Sequence, residues 1–275
     1  MKLNCSGEDR GFKVLSEGLQ RLGRLGLGSL ESMGRSALFL FLTLRGMFQP
    51  PFKLRPVLRQ IQVIGSGSFL VIAFTGAFVG MVLGLQGYYT LSKYGSSSAL
   101  GAAVALSLIR ELGPVLTALM VIGRTGSAMC AELGIMRISE QIDALDCMAI
   151  NPYRYLIAPK LLAGLLSIPL LTAVFNVVGV FGGYMVGVVL LHGNGGAYMA
   201  SMRASVTAVD LKMCFVKSVC FAFLLVWICA EHGFWVNRRP WGFGAEGVSR
   251  ATTSAVVVSS VSVLVADYVI TSFLL

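Results

Sequence analysis

Residues 107–152 read SLIRELGPVLTALMVIGRTGSAMCAELGIMRISEQIDALDCMAINP, an apolar run that is interrupted by charges and ends in an acidic amphipathic segment. A charge at the centre of a bilayer costs roughly 2.5 to 3.5 kcal/mol on insertion scales. Arg110 and Glu111 therefore need a polar partner, a wet cavity or a bound headgroup. The pattern predicts a membrane span that leads into a short cytoplasmic helix, and it makes these two charges the first functional candidates.

The composition is that of an integral membrane protein. Of the 275 residues, 56% are hydrophobic and 13% are charged, whereas soluble domains are about 25% charged. Residues 60–92 and 161–202 contain no charged side chain, and each window exceeds the roughly 20 residues that a helix needs to cross the hydrocarbon. The apolar windows predict five spans, at residues 63–91, 98–119 or beyond, 161–191, 214–230 and 256–275.

The distribution of charge decides between a membrane and a nucleic acid as the partner of this basic chain. Its net charge is +9, and ten of its 22 Lys and Arg residues precede the first long apolar window. The positive-inside rule then predicts a cytoplasmic N-terminus, and five spans place the C-terminus in the periplasm. Nucleic-acid binding is the poorer interpretation.

The N-terminal segment, residues 1–59, is predicted to be cytoplasmic and to precede a transmembrane domain at residues 60–275. Residues 12–33 carry leucines at near-helical spacing among basic side chains, which indicates an amphipathic helix in the membrane interface. The apolar run 37–44 is too short to span, and Pro50-Pro51 stops a helix soon after it. We therefore expect an interfacial elbow ahead of the first span.

Two of the predicted spans contain rows of glycines at four-residue spacing. This small-xxx-small pattern lets helix backbones approach closely in lipid. Packing is the better interpretation than ligand binding, because neither row opens a helix after a strand, as a phosphate loop would. The rows predict tight helix pairs at Gly76, Gly80, Gly84, Gly179, Gly183 and Gly187.

Charged residues within the predicted spans are the candidate functional groups. Arg110 and Glu111 are adjacent, and neighbouring residues on a helix point about 100° apart, so the two cannot neutralise each other. Lys217 and Asp267, in spans four and five, are the candidate partners. The four together are expected to form a buried polar cluster beneath a lipid-accessible cavity. The alternative is that Lys217 snorkels to an interface and Asp267 has a structural role.

Residues 138–148 have their apolar side chains on one helical face and their three carboxylates on another. Such a helix could lie on the membrane, but an acidic face is a poor match to an anionic inner leaflet and a good match to a basic partner. We therefore expect a helix that docks on another protein.

Several kinds of chemistry have no motif in the sequence. The pattern GxxxxGK[ST] does not occur, so ATP-driven work would need a partner subunit. The six cysteines include no CxxC pair and the two histidines stand apart, so no metal site is predicted. No convincing nucleophile site is present either. An intramembrane hydrolase is therefore a remote interpretation of the sequence.

Residues 109–163, beginning IRELGP and containing EQIDAL, resemble the MlaE/YrbE permease family, the membrane subunit of MCE-type ABC lipid transporters. The resemblance extends through GMVLGLQGY (80–88), SIPLLT (167–172) and GVSRATT (247–253). It implies a homodimer in a Gram-negative inner membrane that moves phospholipid between the inner and outer membranes and so maintains outer-membrane lipid asymmetry. The implied partners are a P-loop ABC ATPase that binds ATP and Mg, an MCE-domain lipid-binding protein and, in some systems, a STAS-domain protein. No cofactor is expected in this chain.

The resemblance also assigns roles to two segments. The RELGP charges, Arg110 and Glu111, would lie at the base of an outward-facing cavity between the two copies. The coupling helix that meets the ATPase would comprise Glu140, Gln141, Ile142, Asp143, Ala144 and Leu145. The chain departs from many relatives at Asn151, where they carry an acidic residue. Carboxylates within spans leave one alternative open, an ion- or proton-coupled secondary transporter of a lipophilic substrate.

Overall fold

The computed structural model of the chain describes residues 31, 34–47, 54–238, 242 and 244–274. Within these ranges the chain is almost entirely helical and has no strand, so the predicted all-α fold is confirmed. The amphipathic helix predicted at residues 12–33 and the Pro50-Pro51 stop lie outside the described residues, apart from Glu31. Residues 34–47, which include the predicted elbow, form a helix, α1.

Among the described residues, five helices are long and apolar enough to cross a membrane, in agreement with the predicted number of spans. In chain order the helices after α1 are α2 (Leu54–Lys93), α3 (Leu100–Ile138), α4 (Gln141–Cys147), α5 (Tyr153–Leu190), α6 (Gly195–Ser205), α7 (Ala208–Phe234) and α8 (Gly244–Leu274). Helix α1 precedes the spans, and two shorter helices, α4 and α6, lie between them.

The first three spans are longer than predicted. Helices α2, α3 and α5 have 40, 39 and 38 residues, or nearly 60 Å each at 1.5 Å per residue, about twice the thickness of the hydrocarbon. Their polar ends lie beyond the apolar windows that the sequence shows. Helix α2 already begins at Leu54, so the predicted division of the chain after residue 59 falls inside this helix.

Helices α2 and α5 pack along the two glycine rows. A Cβ atom added to Gly80 would lie 1.8 Å from the carbonyl oxygen of Gly179, and one added to Gly84 would lie 2.8 Å from that of Gly183. Gly76 packs in the same way against the backbone of Phe175. The backbones of the two helices therefore touch directly at three positions, over about two turns. Gly187, at the end of the row, instead packs against the side chain of a leucine in α3.

Helix α7 lies in the centre of the bundle, where it packs against α3, α5 and α8. Over half of its most apolar window is buried, whereas the corresponding share for α8 is 11%. The outer face of α8 is apolar and exposed, as shown by Val257, Val261 and Leu264. A polar side chain on α7 is therefore enclosed by other helices, whereas α8 presents an apolar face outward.

Candidate functional site

Three of the four charged residues predicted within spans meet between α3, α7 and α8. The Nζ atom of Lys217 lies 2.6 Å from Oε2 of Glu111 and 2.9 Å from Oδ1 of Asp267. It also donates a hydrogen bond of 2.9 Å to the backbone oxygen of Arg110. The Lys217 side chain has no exposed surface, so it does not snorkel. One ammonium group thereby connects three spans.

This group of Glu111, Lys217 and Asp267, with the nearby Thr271, is called the Lys217 cluster below. The Thr271 hydroxyl lies 3.4 Å from Oε1 of Glu111 and donates to the backbone oxygen of Asp267 at 2.8 Å. With both carboxylates ionised, the cluster carries one more negative charge than positive. The Glu111 side chain is 41% exposed and that of Asp267 is 19% exposed. Glu111 is therefore the member that a substrate or a second chain can reach.

The side chain of Arg110 points away from the Lys217 cluster. Its Nε donates a hydrogen bond of 2.7 Å to Oδ1 of Asp210, and only its backbone carbonyl meets Lys217. The predicted cluster of four side chains is therefore wrong in this respect. Because adjacent helical residues point in different directions, Glu111 and Arg110 contact α7 at points two turns apart, at Lys217 and at Asp210.

Asp210 was not among the residues predicted from the sequence. It is the third residue of α7 and forms a capping box with Thr207, the residue before the helix. Its Oδ2 accepts hydrogen bonds from the backbone N–H and the hydroxyl of Thr207. The Thr207 hydroxyl oxygen in turn accepts one from the backbone N–H of Asp210. Its other oxygen, Oδ1, accepts the hydrogen bond from Nε of Arg110. The signal that could have found it is Thr-x-x-Asp at residues 207–210, directly before an apolar run.

A π-helical segment, Leu108–Leu112, carries both Arg110 and Glu111. Such segments widen the helix by one residue per turn and frequently mark functional sites. Immediately after it, the backbone of Gly113 packs against Asn176 of α5, where an added Cβ would lie 2.0 Å from Oδ1. The segment is therefore fixed on one side by α5, while its two charges extend toward α7.

The predicted docking segment forms α4, which is attached to the body by two contacts. Ile142 is fully buried, and Asp143 accepts a hydrogen bond of 2.7 Å from Arg137 at the end of α3. Asp143, Asp146 and Cys147 are also exposed. Farthest from the buried Ile142, one exposed side is formed by Glu140, Gln141, Ala144 and Met148, called the outer face of α4 below. Of the residues expected to meet an ATPase, Ile142 instead holds α4 in place, because its side chain points into the protein.

Arg137 also connects α4 to the end of α7. Its guanidinium lies 5.6 Å from the ring centre of Phe234 and 6.0 Å from that of Trp235, within range of cation–π attraction. Phe234 packs in turn on Tyr153, at the start of α5. A displacement of α4 would therefore act on α7, the helix that carries Lys217 about 25 Å away along its axis.

The rest of the described chain offers little other chemistry. No group of three or more His, Cys, Asp or Glu residues that could hold a metal ion occurs within the described ranges. A cavity of about 380 Å³ opens near the ends of α2 and α5, lined by residues that include Tyr88, His192 and Tyr198. Burial raises the pKa of Tyr198 to about 12, so this phenol stays neutral. The charged groups within the spans remain the principal candidate site.

Comparisons with known proteins give consistent results over nearly the whole chain. The family model described as Permease MlaE matches residues 57–273. The intermembrane phospholipid transport system permease protein MlaE of Haemophilus influenzae is 39% identical over 93% of this chain and 97% of its own length. A probable ABC transporter permease protein of Rickettsia typhi is 39% identical over 89% and 92%. The chloroplast protein TRIGALACTOSYLDIACYLGLYCEROL 1 of Arabidopsis thaliana is 34% identical over 80% of this chain and 61% of its own.

Proposed function

The chain belongs to the MlaE permease family, and on that premise we propose that it is the membrane subunit of an ABC transporter that moves phospholipid between the inner and outer membranes. In this role the chain performs no covalent chemistry. A partner ATPase supplies the energy by binding ATP and Mg. The chain supplies the path for the lipid and the surface on which the ATPase docks.

The observation that carries the substrate site is the Lys217 cluster together with Arg110. Burying an ammonium ion in an apolar bundle is costly unless carboxylates surround it, and here two of them do. In the described chain, no side chain bonds to the two terminal amino groups of Arg110, whose side chain is 42% exposed. A guanidinium with free amino groups suits the bidentate binding of a phosphate. We assign headgroup binding to Arg110 and control of the adjacent helices to Glu111.

A second copy of the chain is part of the proposal. The outward side of α8 is apolar, and the exposed edges of Glu111 and Arg110 lie at the surface of a single chain. A homodimer would enclose these charges in a cavity between the two copies, which is what the family resemblance implies. The charge distribution supports a Gram-negative inner-membrane orientation with α4 in the cytoplasm and the C-terminus in the periplasm. An MCE-domain protein on the periplasmic side, and a STAS-domain protein beside the ATPase, complete the proposed complex.

Glu111→Gln is expected to lower ATP-driven phospholipid transport by about tenfold or more in complexes reconstituted into vesicles. The substitution keeps the shape of the side chain but removes a charge-assisted contact of the kind worth about 1.5–3 kcal/mol. Glu246→Gln is the matched control, because Glu246 pairs with Arg250 on an exposed helix surface. Unchanged transport in the Glu111 variant would remove the proposed site.

Ala144→Arg is expected to reduce co-purification of the ATPase by about tenfold or more while leaving the permease folded. Ala144 is exposed on the outer face of α4, so a large cation there repels a basic partner groove without disturbing the body. Ala200→Arg, at an exposed position of α6, is the control. ATPase retained at the wild-type level would contradict the docking proposal.

Transport by the purified chain alone, driven by an ion gradient without nucleotide, would instead support the alternative function, an ion- or proton-coupled secondary transporter.

A further inference from the structure

Arg124 is a second exposed cation on the membrane-spanning part of α3, and the proposed transport site does not use it. It lies 13 residues beyond Glu111, or about 20 Å farther along the helix axis. In the described part of the chain it forms no ion pair, and its side chain makes one hydrogen bond, of 3.4 Å, from Nη1 to Ser68 Oγ. Four of the five N–H donors of its guanidinium therefore remain available.

The position of Arg124 is nevertheless defined by α2. Its guanidinium lies over Gly67, where an added Cβ would be 2.8 Å from Nη1 and 3.2 Å from Nη2. Beside this contact, the hydroxyls of Ser68 and Thr125 bond to each other at 3.1 Å and are buried. The π-helical segment Ile122–Gly126 of α3 carries Arg124 and Thr125, and its counterpart in α2, Gln62–Ser66, ends just before Gly67. Two helices thus hold one outward-facing cation in place.

The depth of this site is indicated by the exposed side chains of α2. From Phe69 to Leu85 they are large and apolar, a stretch of about 25 Å at 1.5 Å per residue, close to the thickness of the hydrocarbon. On the other side of Gly67 the exposed surface becomes mixed: Ser66, Gln62 and Arg59 are exposed and polar, whereas Val63 is exposed and apolar. Arg124 therefore lies at the edge of the apolar belt, at the level where the phosphates of one leaflet lie.

The chemistry at this level selects the ligand. A protein that docks on α4 is distant, because α3 continues for 14 residues, about 20 Å, beyond Arg124. A phosphate can accept two parallel hydrogen bonds from a guanidinium, and anionic lipids attract basic side chains at the cytoplasmic surface. We propose that Arg124, supported by Gly67, binds the phosphate group of a membrane phospholipid in the leaflet nearer α4. The site is separate from the Lys217 cluster and requires no transport.

The test measures phospholipid binding to the purified full-length protein by native mass spectrometry, with phosphatidylglycerol and with a diacylglycerol of the same acyl chains. With Arg110→Gln present in every protein compared, so that the proposed transport site does not contribute, Arg124→Gln is expected to weaken phosphatidylglycerol binding about tenfold. Diacylglycerol binding should stay unchanged because that lipid has no phosphate. Gly67→Ala, which retains the cation but displaces it, should weaken binding in the same direction. Arg250→Gln removes the same charge from an exposed residue already paired with Glu246 and should change binding less than twofold.

Three results would overturn the proposal. Equal phosphatidylglycerol binding with and without Arg124→Gln, in proteins that both carry Arg110→Gln, would show that the cation holds no lipid. Displacement of the lipid by millimolar inorganic phosphate would identify a site for free phosphate instead. Loss of dimer or ATPase from the Arg124 variant, with lipid binding unchanged, would show that the cation pairs with a protein. None of these results depends on transport, so failure here is distinguishable from failure of the proposed function.

Discussion

Lys217→Met is expected to lower the free energy of unfolding by about 3–5 kcal/mol, the range found when one partner of a buried ion pair is removed. Glu111 and Asp267 would then face each other without the ammonium that lies 2.6 and 2.9 Å from their oxygens. The backbone oxygen of Arg110 would also lose its donor. Chemical denaturation of the purified protein in detergent, followed by helical circular dichroism, measures the change.

Two further variants separate charge from packing at position 217. Lys212→Met removes a lysine from an exposed position of the same helix and should alter stability by less than about 0.5 kcal/mol. Adding Glu111→Gln and Asp267→Asn to Lys217→Met removes the unpaired carboxylates and should restore most of the lost stability. Wild-type stability of the single variant would show that the contacts of Lys217 with the two carboxylates do not stabilise the fold.

Gly80→Ala is expected to destabilise the protein by about 1–3 kcal/mol or more, the range for overpacking a dense interior. The new methyl would lie 1.8 Å from the carbonyl oxygen of Gly179. That atom belongs to a backbone and cannot rotate away, so α2 and α5 must separate along their whole contact. The unfolding midpoint in detergent, compared with the wild type, checks this expectation.

Gly65→Ala provides a control on the same helix. An added Cβ there would lie 3.6 Å from Ser167, an ordinary van der Waals distance, so stability should stay within about 1 kcal/mol of the wild type. If both alanine variants were equally stable, the close contact between the two glycine rows would be disproved.

The spans could be predicted because apolar windows without charge are visible in the sequence, but the full lengths of the helices could not. Arg124 and Arg137 lie outside the most apolar stretch of α3 and still belong to the same helix. Arg137 is paired with Asp143 and lies against Phe234, and we propose that Arg124 lies at the level of the headgroups, so neither charge enters the hydrocarbon. Hydropathy therefore predicts which residues lie in the hydrocarbon, but it does not predict where each helix ends. The helix ends lie outside the hydrocarbon, where packing against other helices stabilises them.

The contacts among Glu111, Lys217 and Asp267 could be predicted from the sequence, whereas the direction of the Arg110 side chain could not. A lone lysine and a lone aspartate in two apolar spans had to find partners, and the lysine could pair with both Asp267 and Glu111. The direction of Arg110 depends on the π-helical segment Leu108–Leu112, whose i→i+5 bonding has no readable sequence pattern. For α4, periodicity correctly grouped Ile142 with the other apolar residues but could not tell whether that face meets the body or a partner.

The two oxygens of Asp210 serve different parts of the protein, and this restricts what evolution can place there. Asparagine would keep an acceptor for the start of α7 but lose the charge that holds Arg110. Glutamate is common at this position of a capping box and would keep the charge, but its extra methylene would shift the second oxygen away from Arg110 Nε, which now lies 2.7 Å from Oδ1. One carboxylate meets both requirements. A substitution of Asp210 therefore affects both the cap at the start of the fourth span and the counterion of Arg110.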